Sequence, residues 1–481
     1  MILVIDVGTT SMRAAVVDDE PRIRTLHPQP FPPSTPHPGL VEFDAAAMGM
    51  ALLDLARAAL AAAGGTVTAI GITAQRASTV VWDAATGEPV APGLGWQDLR
   101  TVGECIMAKA EHGLALAPNQ SATKIAWILA NVPDLAGRDL RFGTIVSWVA
   151  HVLSGGALHV TDHTNAAVTG LYDVRSGDWN ARTCEILGIP MSMLPRIVDT
   201  IGEVGTAHAL AGDLPIAALA GDQQASLVGQ GCVQRGAAKI TFGTGGMLDM
   251  CAGEALPASA NRDHHGTFPI VAWSREGVRT FGVEAVMLSA GTNVEWLRDD
   301  LGLLATAAES HDVASQCETT DGVVYVPALL GLGTPAWDYG ARGGLFGVTR
   351  GTDRSHVVRA VLEGVAHRGA DLVEAAEADT GVTIPALRVD GGMSENPTFV
   401  RALAAASGKR VEVSPVVEAT TIGAAYLAGI ATGLWADLDA VAASWRPSVV
   451  IEPDDRLDRE RWAAAVTRAS EWIPELSALD F

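Results

Sequence analysis

A short pattern occurs twice in this chain and restricts what it can fold into. The apolar run Ile2–Ile5 ends in Asp6, turns at Gly8-Thr9-Thr10-Ser11 and continues into the alternating segment Arg13–Asp18. Far downstream, Ala238–Thr241 leads through Phe242-Gly243-Thr244-Gly245-Gly246 into Met247–Cys251. Each copy reads as strand, glycine-and-hydroxyl tip, strand: a hairpin. The tips lie about half of the 481-residue chain apart, so the spacing predicts two related domains, each opened by such a hairpin. Length agrees, because roughly 150 residues per domain favours two or three domains over one. The boundary is expected where patterning relaxes after a helix over Asp222–Val228, giving domains over residues 1–232 and 236–481.

Helices are expected over Ala45–Ala63, His356–Asp379, Asn396–Ser407 and Thr420–Gly433, and a strand over Ala386–Val389. Asp54 and Arg57 interrupt the first of these, which makes it an amphipathic helix rather than a membrane span. The Pro-rich stretch Pro28–Pro38 reads as a surface loop. Alternating strands and helices imply α/β layers, with helices covering mixed sheets.

Hydrophobic residues make up 48% and charged residues 18%, which excludes a disordered chain. The net charge of −22 argues against binding nucleic acid or an anionic membrane. It leaves phosphate chemistry open, because backbone N–H groups and magnesium can hold phosphates. Cys105, Cys184, Cys232, Cys251 and Cys317 are widely spaced with no CxxC pair, as expected of reduced thiols in a cytoplasmic protein. The N-terminus has no basic region before its apolar run, so no signal peptide is expected.

Three motifs offer chemistry. In the first hairpin, Gly8 lets the backbone approach an anion, and Thr9, Thr10 and Ser11 can donate to phosphate oxygens. Asp6 at the strand end can hold magnesium through its waters, and Arg13 adds positive charge. Taken alone, this is equally an ordinary Asp-and-hydroxyl turn. Asp222, in Gly221-Asp222-Gln223-Gln224, opens a helix whose dipole favours its charge, and a carboxylate there can accept a proton from a hydroxyl. Alone, it reads better as an N-cap. The strand-to-helix turn Asp390-Gly391-Gly392 would let a flat base or ribose pack on the backbone, or is simply a turn. Arg76, Trp96 and Gln75 follow strand-like runs, where small ligands sit in α/β proteins. His264-His265 has no partner at metal-ligand spacing and reads as a surface loop.

Together these segments resemble the FGGY family of carbohydrate kinases, and within it the glycerol kinase branch. The resemblance runs through Ile5–Asp18, Gly71–Asp83, Gly95–Thr101, Ser121–Leu129, His159–Ala166 and Leu219–Gln230. It continues through Lys239–Leu248, Val326–Thr352, Leu387–Asn396 and Ala419–Gly429. It implies an α/β fold of two actin-like (ribonuclease-H-like) domains around a central cleft. The sugar or polyol would sit mainly on the first domain and ATP mainly on the second. The resemblance assigns Asp222 as general base and Asp6 as the Mg²⁺-side carboxylate. ATP contacts fall on Thr9, Thr10, Ser11 and Arg13 in the first domain. In the second they fall on Gly243, Thr244, Gly245, Gly291, Glu295, Gly392 and Asn396. Arg76, Trp96 and Gln223, with Asp222, fall on the substrate. A homodimer or a homotetramer is left open as the assembly.

Departures bear on the acceptor. Glycerol kinases carry Glu where this chain has Ala77, Tyr where it has Asn119, an aromatic where it has Met247, and Gln where it has Glu295. The loop tied to sugar-bisphosphate control is not recognisable in Ile201–Leu214. The expected substrate is therefore a small polyol or sugar larger than glycerol, phosphorylated on a terminal hydroxyl. Glycerol itself and a ketopentose of the xylulose type are the alternatives. The ketopentose enzymes usually carry Gln-Met-His-Gly where this chain has Gln75-Arg76-Ala77-Ser78, which counts against that choice. A non-catalytic ATP-binding switch on the actin-like fold would be expected to lack the base, and Asp222 is present.

Overall fold

The computed structural model describes all residues except 258–263, 417, 455 and 480–481. Among the described residues, thirteen strands form one hydrogen-bonded sheet. In the first half these are β1 (Ile2–Val7), β2 (Ser11–Val17), β3 (Ile23–Pro30), β4 (Ala69–Ala74), β5 (Ile201–Ala207) and β6 (Leu214–Gly221). In the second they are β7 (Ala238–Phe242), β8 (Gly246–Gly253), β9 (Phe268–Arg275), β10 (Val278–Met287), β11 (Ala386–Asp390), β12 (Arg410–Val413) and β13 (Val449–Ile451). The order is β13-β12-β11-β7-β8-β10-β9-β5-β6-β4-β1-β2-β3.

The same five-strand unit occurs twice in that order: β12-β11-β7-β8-β10 and β6-β4-β1-β2-β3. In both, the opening hairpin is antiparallel, its second strand pairs antiparallel with the third, and the remaining two strands run parallel to the first. The duplication expected from the Gly-Thr tips thus extends to whole sheets. The halves join edge to edge through β5 and β9, at the single residue pair Ile201 and Arg275.

Period-two alternation decides which helices cover each face. On β1, Leu3, Ile5 and Val7 join the core made with Met48, Leu52 and Ala56 of helix α1 (Ala45–Ala62). Helix α1 is long and apolar enough to cross a membrane, but these residues pack it against the sheet. Ile2 and Val4 face the other way, into a core shared with Ile422, Tyr426 and Leu427. Those residues belong to a helix late in the chain, so the second half supplies the inner cover of the first half's sheet. Two further helices carry site residues: α2 (Asp222–Gly229) and α3 (Thr292–Asp299). The second half's own core is built on α4 (Arg354–Thr380) and α5 (Pro397–Ser407), and the covering helix is α6 (Ala419–Ala431). Asp353 and His356 close a capping box at the start of α4, and Gly381 ends it in the left-handed conformation.

One expectation needs correction. Pro28 and Pro30 lie inside β3, not in a loop. This strand is at the sheet's edge and only one side is paired, so a proline's missing N–H costs no ladder bond there. His265, expected in a surface loop, is half exposed and pairs with Asp379 at 2.8 Å.

Candidate active site

The chain turns from β6 into α2 at Gly221, and Asp222 is the first helical residue. A β-carbon on Gly221 would stand 2.7 Å from Arg76 Cδ. Glycine there lets Arg76, just beyond the end of β4, lie across the start of α2. Arg76 Nε is 3.7 Å from Asp222 Oδ1, and Nη2 is 2.6 Å from Glu284 Oε2 on β10. The Gln223 N–H donates to Asp222 Oδ1 at 2.8 Å, and 28% of the Asp222 side chain remains exposed. Burial pushes the Asp222 carboxyl up, while Arg76, the Gln223 N–H and Lys239 pull it down. Burial also opposes charge on Arg76, but Glu284, Asp222 and Asp249 outweigh it and hold the guanidinium above its ordinary value.

The two hairpin tips are built differently. In the first, the Gly8 N–H donates to the Ser11 oxygen at 2.9 Å, closing the turn, and Trp96 Nε1 donates to Thr9 Oγ1 at 3.1 Å. A phosphate-side and a substrate-side candidate are thereby in contact. Gln75 Nε2 donates to the Gly8 oxygen at 3.2 Å and braces the same turn. In the second tip, Gly243 and Thr244 are exposed. Their carbonyls accept from the N–H groups of Gly291 and Ala290, both at 2.8 Å, at the start of α3. A β-carbon on Gly291 would stand 2.6 Å from the Gly243 oxygen. Glu295 is exposed in the first turn of α3.

Gly392 lines a cavity of about 500 Å³ together with Asp390, Val400, Val413 and Ile451. Asn396 is not among the lining residues; its side chain caps α5 and donates to Ser310 at 2.9 Å. Asn119 is exposed, and among the described residues no hydrogen bond ties its side chain to Arg76, Asp222 or Gln223. Ala77 is buried with φ +62°, its carbonyl taken by Ser121 and Thr79. Met247 sits on β8 opposite Val286.

Asp6 lies 3.3 Å from Arg13 Nη1 and 3.4 Å from Thr421 Oγ1 of α6. Burial raises its carboxyl to about 6, against the pull of Arg13 and with a push from Asp222 and Glu418. A divalent cation fits this spot electrostatically, because it would offset the push of Asp222 and Glu418 on the Asp6 carboxylate. No group of three or more His, Cys, Asp or Glu forms a metal cage among the described residues. Mg²⁺ here would take most of its ligands from water and phosphate, its usual habit.

Family models match both halves of the chain. That of the N-terminal domain of the FGGY family of carbohydrate kinases matches residues 1–229, and that of the C-terminal domain matches 238–432. The chain belongs to the FGGY family of carbohydrate kinases. Glycerol kinases from Deinococcus radiodurans and Dechloromonas aromatica are 42% and 41% identical to it, with 99% and 98% of both chains covered. Plasmodium falciparum glycerol kinase, solved with ADP, superposes with a TM-score of 0.91 at 30% identity, covering 98% of each chain. A xyloylose kinase from Brucella ovis superposes at 0.85 with 26% identity, covering 99% of each. This FGGY kinase is thus an ATP-dependent phosphotransferase acting on a hydroxyl group, built on two actin-like (ribonuclease-H-like) domains.

The sequence reading of this FGGY kinase missed four site residues: Lys239, Asp249, Glu284 and Glu418. Lys239 Nζ is 2.8 Å from Asp249 Oδ2, and both side chains are fully buried. Glu418 Oε2 accepts from Arg13 at 3.0 Å. The available signal was charge inside the apolar strands Ala238–Thr241 and Met247–Cys251. Such charges are seldom buried unless paired. Lys239 and Asp249 oppose each other within the second hairpin, but the partners of Glu284 and Glu418 are distant in sequence, so those two pairings left no trace.

Proposed function

We propose that this kinase transfers the γ-phosphoryl group of ATP to a terminal hydroxyl of a small polyol or sugar, with Asp222 as general base. The observation that carries this is the placing of Asp222 at a helix start, partly exposed, flanked by Arg76 and Gln223. The hydroxyl oxygen attacks the γ-phosphorus, its proton passes to an Asp222 oxygen, and ADP leaves. Arg76, Trp96 and Gln223 hold the acceptor. Thr9, Thr10, Ser11, Arg13, Gly243, Thr244 and Gly245 hold phosphates, and Gly291, Glu295, Gly392 and Asn396 lie on the nucleoside side. Asp6 would hold Mg²⁺ through water, and the ion would supply charge neutralisation at the phosphates. The domains divide between residues 232 and 236, and their approach excludes water from the transfer. The enzyme works in the cytoplasm as a homodimer or homotetramer.

The acceptor is longer than glycerol. Ala77, Asn119 and Met247 replace a carboxylate and two aromatics of the glycerol kinases, which opens room and removes polar contacts. Each lost contact is worth about 1–3 kcal/mol when its partner is left unpaired. Glycerol itself is the second reading, favoured by near full-length similarity to glycerol kinases. Coupled ADP detection over glycerol, erythritol, threitol, arabitol, xylitol and ketopentoses separates the two. A four- or five-carbon polyol should have the higher kcat/KM. Glycerol ahead by about tenfold or more would establish the second reading.

A further inference from the structure

Asp249 on β8 stands directly opposite Lys239 on β7 and, on its other side, directly opposite Glu284 on β10. The three side chains therefore form one row across three strands, on one face of the second half's sheet. All are deeply buried: Lys239 and Asp249 completely, Glu284 with 11% exposed. Two carboxylates directly opposite each other repel, and burial makes that repulsion stronger. The row is balanced from both ends. Lys239 meets Asp249 at 2.8 Å, and Arg76, from the other half of the chain, meets Glu284 at 2.6 Å.

Both ends of the row touch residues beside Asp222. Lys239 Nζ donates to Gln223 Oε1 at 2.7 Å and to Thr241 Oγ1 at 3.0 Å, and forms an ion pair with Asp249 Oδ2. An ammonium can only donate, so the Gln223 amide must turn its oxygen to Lys239. Its NH₂ group is left to face other partners, which makes Gln223 a donor toward an acceptor molecule. At the other end, Glu284 pairs with the Arg76 guanidinium, whose Nη1 is, among the described residues, buried without a hydrogen-bond partner. A buried donor in that state is unfavourable until something accepts from it.

We propose that Glu284 and Lys239, linked through Asp249, are positioning residues. They hold Arg76 and Gln223 on either side of Asp222, so that both present donors to the oxygens of the acceptor molecule. The second half thereby sets affinity for a substrate bound on the first half. Without Glu284, Arg76 has Asp222 as its remaining carboxylate neighbour, 3.7 Å away, and would turn toward the base and compete with the attacking hydroxyl. The inference rests on the reading of Asp222 as base and of Arg76 and Gln223 as acceptor contacts.

The test is steady-state kinetics of Glu284→Gln on the full-length enzyme at about pH 8, above the value of about 7 to which burial raises the Glu284 carboxyl, with KM measured separately for the acceptor and for ATP. The substitution keeps the shape and removes the charge. The acceptor KM should rise at least about tenfold while the ATP KM stays within about threefold. Glu284→Asp, which keeps the charge one methylene further back, should lie between wild type and Glu284→Gln. If Glu284→Gln does not fold, Glu284→Asp is read by the same split. An unchanged acceptor KM, or a parallel rise in both KM values, overturns the proposal, because general loosening of the fold has no reason to spare ATP. Wild-type enzyme inactive on every polyol and sugar of the panel would instead overturn the functional reading on which it rests.

Discussion

A β-carbon on Gly423 would overlap the carbonyl oxygen of Ala225, so α6 and α2 cross with their backbones in contact. The contact is reciprocal, because a β-carbon on Gly229 of α2 would overlap the Ala419 oxygen of α6. Helix α2 begins with Asp222, and α6 carries Thr421 to Asp6. This crossing therefore fixes the base relative to the strand end that carries Asp6. Gly423→Ala should destabilise the protein by about 3 kcal/mol or more through overpacking against rigid backbone, and should lower kcat as well. Thermal melts and kinetics check this. Gly103, which has open space around its β-carbon position, is the control: Gly103→Ala should be neutral or slightly stabilising.

Asp222→Asn removes the proton acceptor while keeping the shape of the helix start. Turnover should fall at least about 10²-fold, with ATP binding nearly unchanged by calorimetry. Near-normal kcat would remove Asp222 from its role.

The buried Lys239–Asp249 pair separates stability from alignment. Lys239→Met strands a buried carboxylate and should cost about 3–5 kcal/mol. Adding Asp249→Leu should restore most of that stability, because a matched apolar pair replaces a matched ionic one. It cannot restore the hydrogen bond to Gln223. The double variant should thus melt near wild type yet bind the acceptor weakly; recovery of both would separate Lys239 from Gln223 positioning.

Burial, reinforced by Asp249, pushes the Glu284 carboxyl up to about 7 against the attraction of Arg76 and Lys239. Its ordinary value is about 4.5, so the native state keeps a proton that the unfolded chain releases between these values. That contribution to stability is fully present below about pH 4.5 and is lost as pH rises through about 7. Melting temperatures of wild type and Glu284→Gln, followed from about pH 5 to about pH 8, should shift in favour of the variant as pH rises. A pH-independent difference would show that Glu284 does not titrate in this window.

Local pattern was enough for the parts of this protein that chemistry shapes one segment at a time. Both hairpins, the helix opened by Asp222 and the strand before Gly391 were legible because glycine turns and apolar runs are written in consecutive residues, although Gly221, not Asp222, is the N-cap of that helix. The Pro-rich segment misled only at Pro28–Pro30, because only the sheet order could show that β3 lies at an edge where proline is tolerated. What the sequence could not disclose was pairing at a distance. Arg76 meets Glu284, Arg13 meets Glu418, and Ile2 and Val4 are covered by α6. Each partner comes from the opposite half of the chain, and charge or apolarity alone does not specify which of many distant matches will be made. Backbone crossing at Gly229 and Gly423, edge pairing of β5 with β9 and the row of buried charges decided that, because each depends on which distant segments the packing of the two duplicated sheets brings together.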